Sequence, residues 1–419
     1  MASEKRPPIN EVFTPRGGTV NREMYIERRD IEKELRRALQ GSLNIVVHGD
    51  SGAGKSWLYK KVLGDLSAVY DTVNCTTVAT DGTFDKEFRN IINGEGNHTK
   101  TGFTEKKNAE ANAVFAKGSI EHAAEYAIGE PEVFAKCLMQ LRKRAGEGAP
   151  AVLVIENLEE IISAPKLMQG LARLIILLDD ERYSKYRIKL LIVGVPADLQ
   201  SYYQNIANQR TVANRLCEIP QVGRLTEGQV GQFASRGLLH KLRINFRIGG
   251  LEYIQGHIYF VSAGIPQLMQ QYCEILAHMA VERDWSLSVD CLPDADKRLL
   301  KNNLLSIYST VCSYVSDEVK HHQILYSMGR ITKEIFDVND LEKAIRFDFG
   351  GVDVGTPSRL SLAKNLAALA DLNPPILKRL GKTKRFYFSD PRYLICIRLM
   401  FDNKSSKSVL RIERFDIGN

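Results

Sequence analysis

The sequence predicts an α/β fold: a parallel sheet covered by helices, then an all-helical bundle, then helices closing on a β-hairpin. Three observations predict it. In the first half, apolar runs of strand length ("LNIVVHG", "PAVLVIEN", "RIKLLIVGV") alternate with amphipathic runs, the pattern of strands buried on both faces. From "TEGQVGQFASRGLLHKL" to about Asp284 the pattern is purely helical. Beyond Cys291, helical runs at 317–329, 339–347 and 357–370 lead into "PPILKRLGKTKRFYFSD". Two short β-prone runs around a Gly-Lys turn there make a winged-helix pattern.

Taken in order, residues 1–20 are Pro/Gly-rich and expected to form an irregular arm. A helix starts at about Arg29, with Ile31, Leu35 and Leu39 on one face. "LNIVVHG" is a strand, "GKSWLYKKVLGDL" a helix, "AVYDTVNCTTV" a second strand, and "DGTFDKEFRNIIN" a helix with Asp81 as N-cap. Residues 94–130, rich in small and polar residues, break the rhythm as an insertion, either a hairpin or a helix pair. The rhythm resumes with the helices "EVFAKCLMQLRKRAG" and "APKLMQGLARLIILLDD" between the two apolar strands, a helix around 197–207, and a fifth strand in "NRLCEIPQV". The expected division is an arm at 1–20, a core at 21–223, a helical unit at 224–290 and a winged helix at 291–419.

Apolar residues make up 44% and charged residues 26%, which suits a globular protein with an ample core. No apolar run approaches the roughly 20 residues of a spanning helix, so no membrane partner is expected. The seven cysteines are scattered without a CxxC pair, which points to reduced thiols and away from zinc or a disulfide frame. "MASEKRPPINEVF" lacks the apolar core of a secretion signal, so the expected compartment is the cytoplasm. The net charge is +7, and from Asp371 onward eleven Lys/Arg face five Asp/Glu. The basic excess therefore sits at the C-terminal end, where a polyanion could meet it.

The residues Gly49, Asp50, Ser51, Gly52, Ala53, Gly54, Lys55 and Ser56 fit G-x-x-x-x-G-K-[ST] without a mismatch, between a strand and a helix. Glycines let backbone N–H groups converge on phosphate oxygens. The helix after Gly54 aims its positive dipole end at the same anion. Lys55 is expected to reach the β- and γ-phosphates, and the Ser56 hydroxyl to ligate Mg2+. ATP and Mg2+ are thus the expected cofactors, and the core is expected to be a P-loop NTPase.

A partner acid should end a neighbouring strand. "AVLVIENLEE" offers Glu156, then Asn157. The usual pattern is Asp followed by Glu, the first orienting Mg2+ and the second activating water. Glu156 is one methylene longer than Asp, and Asn157 accepts no proton. Glu159 or Glu160 could stand in, and Glu160 is the catalytic candidate with Lys55, Glu156 and Asn157. Slow hydrolysis, or hydrolysis completed only in an assembly, is the expectation.

"VFTPRGGTVNREMYIERRDIEKEL" followed by the loop resembles the opening of AAA+ and STAND-type ATPases of the origin-recognition-like group. The resemblance implies that Tyr25 and Ile26 of a F-x-G-R-x-x-E-like box pack near adenine and ribose. Arg28 of that box and Trp57 after the loop join the expected nucleotide-binding set. It implies a strand-end sensor, where this chain has Gly194 and Val195, with Asp198 a weak substitute. It implies a trans-acting arginine, for which Arg210 and Arg215 are the candidates and Arg215 the one retained. It implies a lid helix starting "G-x-P-R", but here the arginine is Gln267. The "FSDP" run after the hairpin is similar to the tail of winged helices in such ATPases.

Lys378, Arg379, Lys382, Lys384 and Arg385 cluster on the expected wing, interleaved with Phe386 and Tyr387. They are candidate contacts to a nucleic-acid backbone, which give affinity without sequence reading. The preceding helix offers only Arg359, Ser361, Lys364 and Asn365 to bases. Docking of this unit on protein is an equal expectation. Two functions remain open: a nucleotide-controlled switch that self-associates with ATP and controls a separate effector, such as a component of a bacterial anti-phage system, or a DNA-binding initiator- or transposition-type ATPase that loads another factor.

Overall fold

The computed structural model describes residues 5–94, 131–194, 199–204, 210–315, 319–349, 359–381, 383–405 and 408–411. Val195, Asp198, Lys382 and the insertion from residue 95 onward lie outside the described residues. The chain divides into two compact units, Glu27–Gly223 and Met1–Ile26 together with Arg224–Asn419.

The first unit is a five-stranded sheet in the order β2-β3-β4-β1-β5. The strands are β1 (Asn44–His48), β2 (Val69–Asn74), β3 (Ala151–Glu156), β4 (Ile188–Gly194) and β5 (Leu216–Glu218). Every pairing is parallel. Side-chain alternation along a strand sends successive residues to opposite faces, and here both faces are core. Ile45, Val47, Val152, Val154, Leu191 and Val193 join one buried cluster with Leu58 and Val62 of the Lys55–Asp65 helix. Val46, Leu153, Ile155 and Ile192 join another with Phe88, Phe134 and Leu171. That two-sided burial explains the near-continuous apolar runs. It is the P-loop NTPase core the sequence predicts. Because β4 lies between β1 and β3, the loop after β1 and the acid ending β3 stand at the same C-terminal edge, where open α/β sheets bind ligands.

One local expectation is corrected. The "CTTVATD" run does not extend β2. Asn74 ends the strand, its side chain accepts from the Thr76 N–H at 3.0 Å, and Cys75–Asp81 turns into a helix ended by left-handed Gly82. Asp81 closes that helix instead of capping the next, Asp85–Ile92. A side-chain cap outcompeted the strand preference of the Thr-Thr-Val run.

In the second unit, the helices Glu227–Ala234, Gly250–Ser262 and Pro266–Val281 form a bundle, the first opened by a Thr226–Gln229 capping box. The arm is not wholly irregular: Ile9–Val12 is one helical turn, and the Phe13 ring lies tilted 5.9 Å from that of Phe233 in the bundle core. The helices Val319–Arg330, Val338–Phe349 and Arg359–Asp371 follow. The hairpin pairs Leu377–Arg379 with Phe386–Phe388, and Phe386 also exchanges backbone hydrogen bonds with Phe336 (2.7 and 2.9 Å) between the first two helices. Three helices closed by this wing are a winged helix. The Pro391–Met400 helix, N-capped by Asp390, follows it and packs among the others. One continuous apolar core joins bundle and winged helix.

Candidate phosphate-binding site

Gly49 leaves β1 with φ +154°, and a Cβ there would meet the Val222 carbonyl oxygen at 2.5 Å. Only glycine fits between the loop and that segment. Gly54, at φ 88°, is the left-handed entry to the Lys55–Asp65 helix, a conformation that glycine adopts without strain. The loop therefore wraps backbone around a helix N-terminus, as anion cradles do. Asp50 and Ser51 form the turn, closed by the Ala53 N–H donating to the Asp50 carbonyl at 3.1 Å, and Ala53 is buried beneath it.

The Lys55 ammonium folds back to donate to the carbonyls of Gly49 (2.8 Å) and Asp50 (2.9 Å). Burial pulls its pKa below the ordinary lysine value, and Glu159, Asp50 and Glu156 oppose that pull in this order. The Ser56 hydroxyl donates to Glu156 Oε1 at 2.9 Å. Two oxygens with the chemistry of Mg2+ ligands thus meet across the sheet edge. The buried Tyr59 phenol lies near the same carboxylate; burial first, then Glu156, raises its pKa well above the usual tyrosine value. Trp57 is half-buried on the helix's first turn. Glycine cradle, buried ammonium and paired oxygens fit a Mg2+-bound triphosphate.

Asn157 sits in the left-handed region (φ 59°), and its amide donates to the Asn74 side chain at 2.9 Å. The position after Glu156 is thus spent on bridging β3 to β2. Glu159, half-buried, is the acid with the largest charge effect on Lys55, whereas Glu160 is exposed and is not among the groups that shift Lys55. The sequence reading takes Glu160 as the catalytic candidate; in the structure the short 3-10 turn Leu158–Glu160 leaves Glu160 exposed and makes Glu159 the acid that acts on Lys55. Asn74 and Glu87, whose carboxylate accepts from the Asn74 N–H at 2.8 Å, were missed. The capping signature "N-C-T" was their available signal.

The remaining candidates have the following surroundings. Arg215 pairs with Asp179 at 2.6 Å and donates to the Thr211 carbonyl at 2.7 Å. Arg210 is exposed at the start of a four-residue helix. Arg28 donates to the Gly223 carbonyl at 3.2 Å. Tyr25 and Ile26 are buried in the other unit, where the Tyr25 carbonyl accepts from Arg236 at 2.9 Å. Gln267 is half-buried in the first turn of its helix. On the wing, Lys378, Arg379, Lys384 and Arg385 are exposed, and Arg379 pairs with Asp371 at 3.0 Å. In the preceding helix, Asn365 accepts from the Tyr314 hydroxyl at 2.9 Å.

Residues 36–202 match the family described as AAA domain. No curated protein matches. Among solved structures, a Walker-type ATPase of Pyrococcus abyssi is similar over 92% of this chain and 99% of its own, at 12% identity and a TM-score of 0.51. The Aeropyrum pernix ORC2 protein in its ADP form is similar over 91% of this chain and 94% of its own, at 14% identity and a TM-score of 0.51. At such identities the likeness is one of fold. Residues 36–202 thus resemble an AAA domain and carry a complete phosphate loop.

Proposed function

We propose that the protein is an ATP-binding, slowly hydrolysing switch whose nucleotide state governs its self-association and its hold on a separate protein. The observation that carries this reading is the meeting of Ser56 and Glu156 at 2.9 Å beside the buried Lys55 ammonium. Lys55 would exchange the carbonyls of Gly49 and Asp50 for phosphate oxygens, and Ser56 and Glu156 would hold the cation, Glu156 through water. Mg2+, when bound, supplies charge neutralisation at the phosphate oxygens. Asn157 cannot take a proton from water and is tied to Asn74. Glu159 is the acid left to do so. Arg215, engaged by Asp179, is available in trans only if that pair opens. Each feature favours slow turnover over a motor. Effector chemistry then belongs to another protein, as in a bacterial anti-phage system.

A second reading draws on the wing. Exposed Lys378, Lys384 and Arg385 suit a phosphate backbone, while Asn365 is occupied by Tyr314. That combination supports duplex binding without sequence preference. Mass in solution with and without ATP·Mg2+, with Lys55→Ala as control, tests the first reading. A larger species that needs both nucleotide and Lys55 supports it. A single mass throughout removes the switch.

A further inference from the structure

The unit that contains residues 224–419 has a half-open cavity of about 350 Å³, lined among others by Tyr253, Phe260, Asp296, Tyr326, Arg330 and Arg398. This volume falls within the roughly 300–1,000 Å³ of small-molecule pockets. None of its residues belongs to the phosphate loop. Arg398 enters from the Pro391–Met400 helix, donating to the carbonyls of Gly329 and Phe260 at 2.7 Å each, its guanidinium 5.0 Å over the Phe260 ring. Among the described residues no carboxylate pairs with it. Its charged neighbours are Arg224 and Arg330, and Arg224 is itself paired with Glu334 at 3.3 Å. Burial, then those like charges, pulls its pKa down to about 10.

Arg330, which also lines the cavity, lies 4.5 Å over the Tyr326 ring and is exposed. A guanidinium stacked on an aromatic face keeps its in-plane donors for an oxyanion. The lining acid Asp296, 1% exposed, accepts from Tyr272 at 2.7 Å and bonds His257 at 2.9 Å, and it is not among the groups that shift Arg398. Tyr253, 60% exposed, lines the cavity as well. It is a large aromatic surface left uncovered beside two arginines. A half-buried cation with no counterion among the described residues suits an anion from outside, and the exposed ring gives that anion a planar moiety to stack on.

We propose that this cavity binds a phosphorylated, ring-bearing ligand of mononucleotide size, its phosphate on Arg398 and Arg330 and its ring on Tyr253. The test uses the full chain carrying Lys55→Ala, or Lys55→Met if the first is poorly folded, so that the phosphate loop does not contribute. Calorimetry with AMP and with UMP is expected to show one site. Arg330→Ala is expected to weaken it at least about tenfold without rescue by Arg330→Lys, since lysine lacks the fork. Tyr253→Ala should weaken AMP and leave ribose 5-phosphate unchanged. Both substituted residues are exposed, so folding is expected to survive, and thermal unfolding of each variant checks it. The proposal is overturned if neither nucleotide binds, if binding ignores Arg330→Ala, or if inorganic phosphate binds as tightly as AMP.

Discussion

The Ser56 hydroxyl donates to Glu156 Oε1 at 2.9 Å, joining the first turn after the phosphate loop to the end of β3 across the intervening strand β4. The extra methylene of glutamate lets the carboxylate reach the hydroxyl directly. Where a shorter acid would leave space, this one closes on the serine. On the proposed reading, this contact makes Glu156 the residue on which metal dependence turns.

Glu156→Gln keeps the length and removes the charge. The Mg2+ concentration that half-saturates ATP binding is therefore expected to rise about 10- to 100-fold, the range for groups that hold a metal through water. Titration of Mg2+ against a fluorescent ATP analogue reads this midpoint. An unmoved midpoint would take Glu156 out of the metal site.

Glu159 and Glu160 are neighbours in sequence but differ in their effect on Lys55. Glu159→Gln is expected to slow single-turnover phosphate release by about 100-fold, the worth of a general base, with ATP affinity unchanged. Glu160→Gln should leave release within about twofold of the parent, because an exposed carboxylate that does not shift Lys55 has no evident route to the water. Equal losses in both variants would mean that neither acid acts alone.

Much of the architecture was legible because burial on both faces writes itself into a strand: "NIVV", "VLVI" and "LLIV" allow little but a covered parallel sheet. The loop was legible because phosphate binding demands glycine where backbone must approach backbone, as Gly49 approaches Val222. The rest was not, for local and long-range reasons. The strand-like Thr-Thr-Val run became a helix because the Asn74 side chain caps it. The choice of Glu159 over Glu160 depends on the phase of one 3-10 turn. The pairing of Arg215 with Asp179 joins residues 36 apart, and no spacing in the chain announces it. The burial of Phe13 against Phe233 belongs to the same class.

The Lys55 pKa lies below its ordinary value of 10.5 because of burial. Between the folded value and 10.5 the unfolded chain binds more protons, so this residue's contribution to stability rises with pH. Below the folded value the burial cost is present in full. Without nucleotide, Lys55→Met is therefore expected to be more stable than the parent at pH 7. That advantage should shrink as pH approaches 10.5. Urea midpoints of both proteins across this range provide the check, and their difference cancels the titration of the buried thiols and phenols. A gap constant with pH would show that the ammonium is not desolvated.

On the wing, Lys378, Lys384 and Arg385 are exposed, whereas Arg379 already pairs with Asp371 at 3.0 Å. Each phosphate contact adds about 0.9 to the slope of log affinity against log salt. Alanine at any of the first three positions is expected to lower that slope by about 0.9. Arg379→Ala should change it less, since the gain on DNA is offset by the pair it must leave. Asn365→Ala should leave the preference among sequences unaltered, because the Tyr314 hydroxyl occupies its carbonyl. Fluorescence anisotropy of labelled duplexes from roughly 50 to 200 mM salt measures the five variants and the parent. If the three exposed positions leave the slope untouched, the wing does not lie on phosphate, and protein becomes its partner.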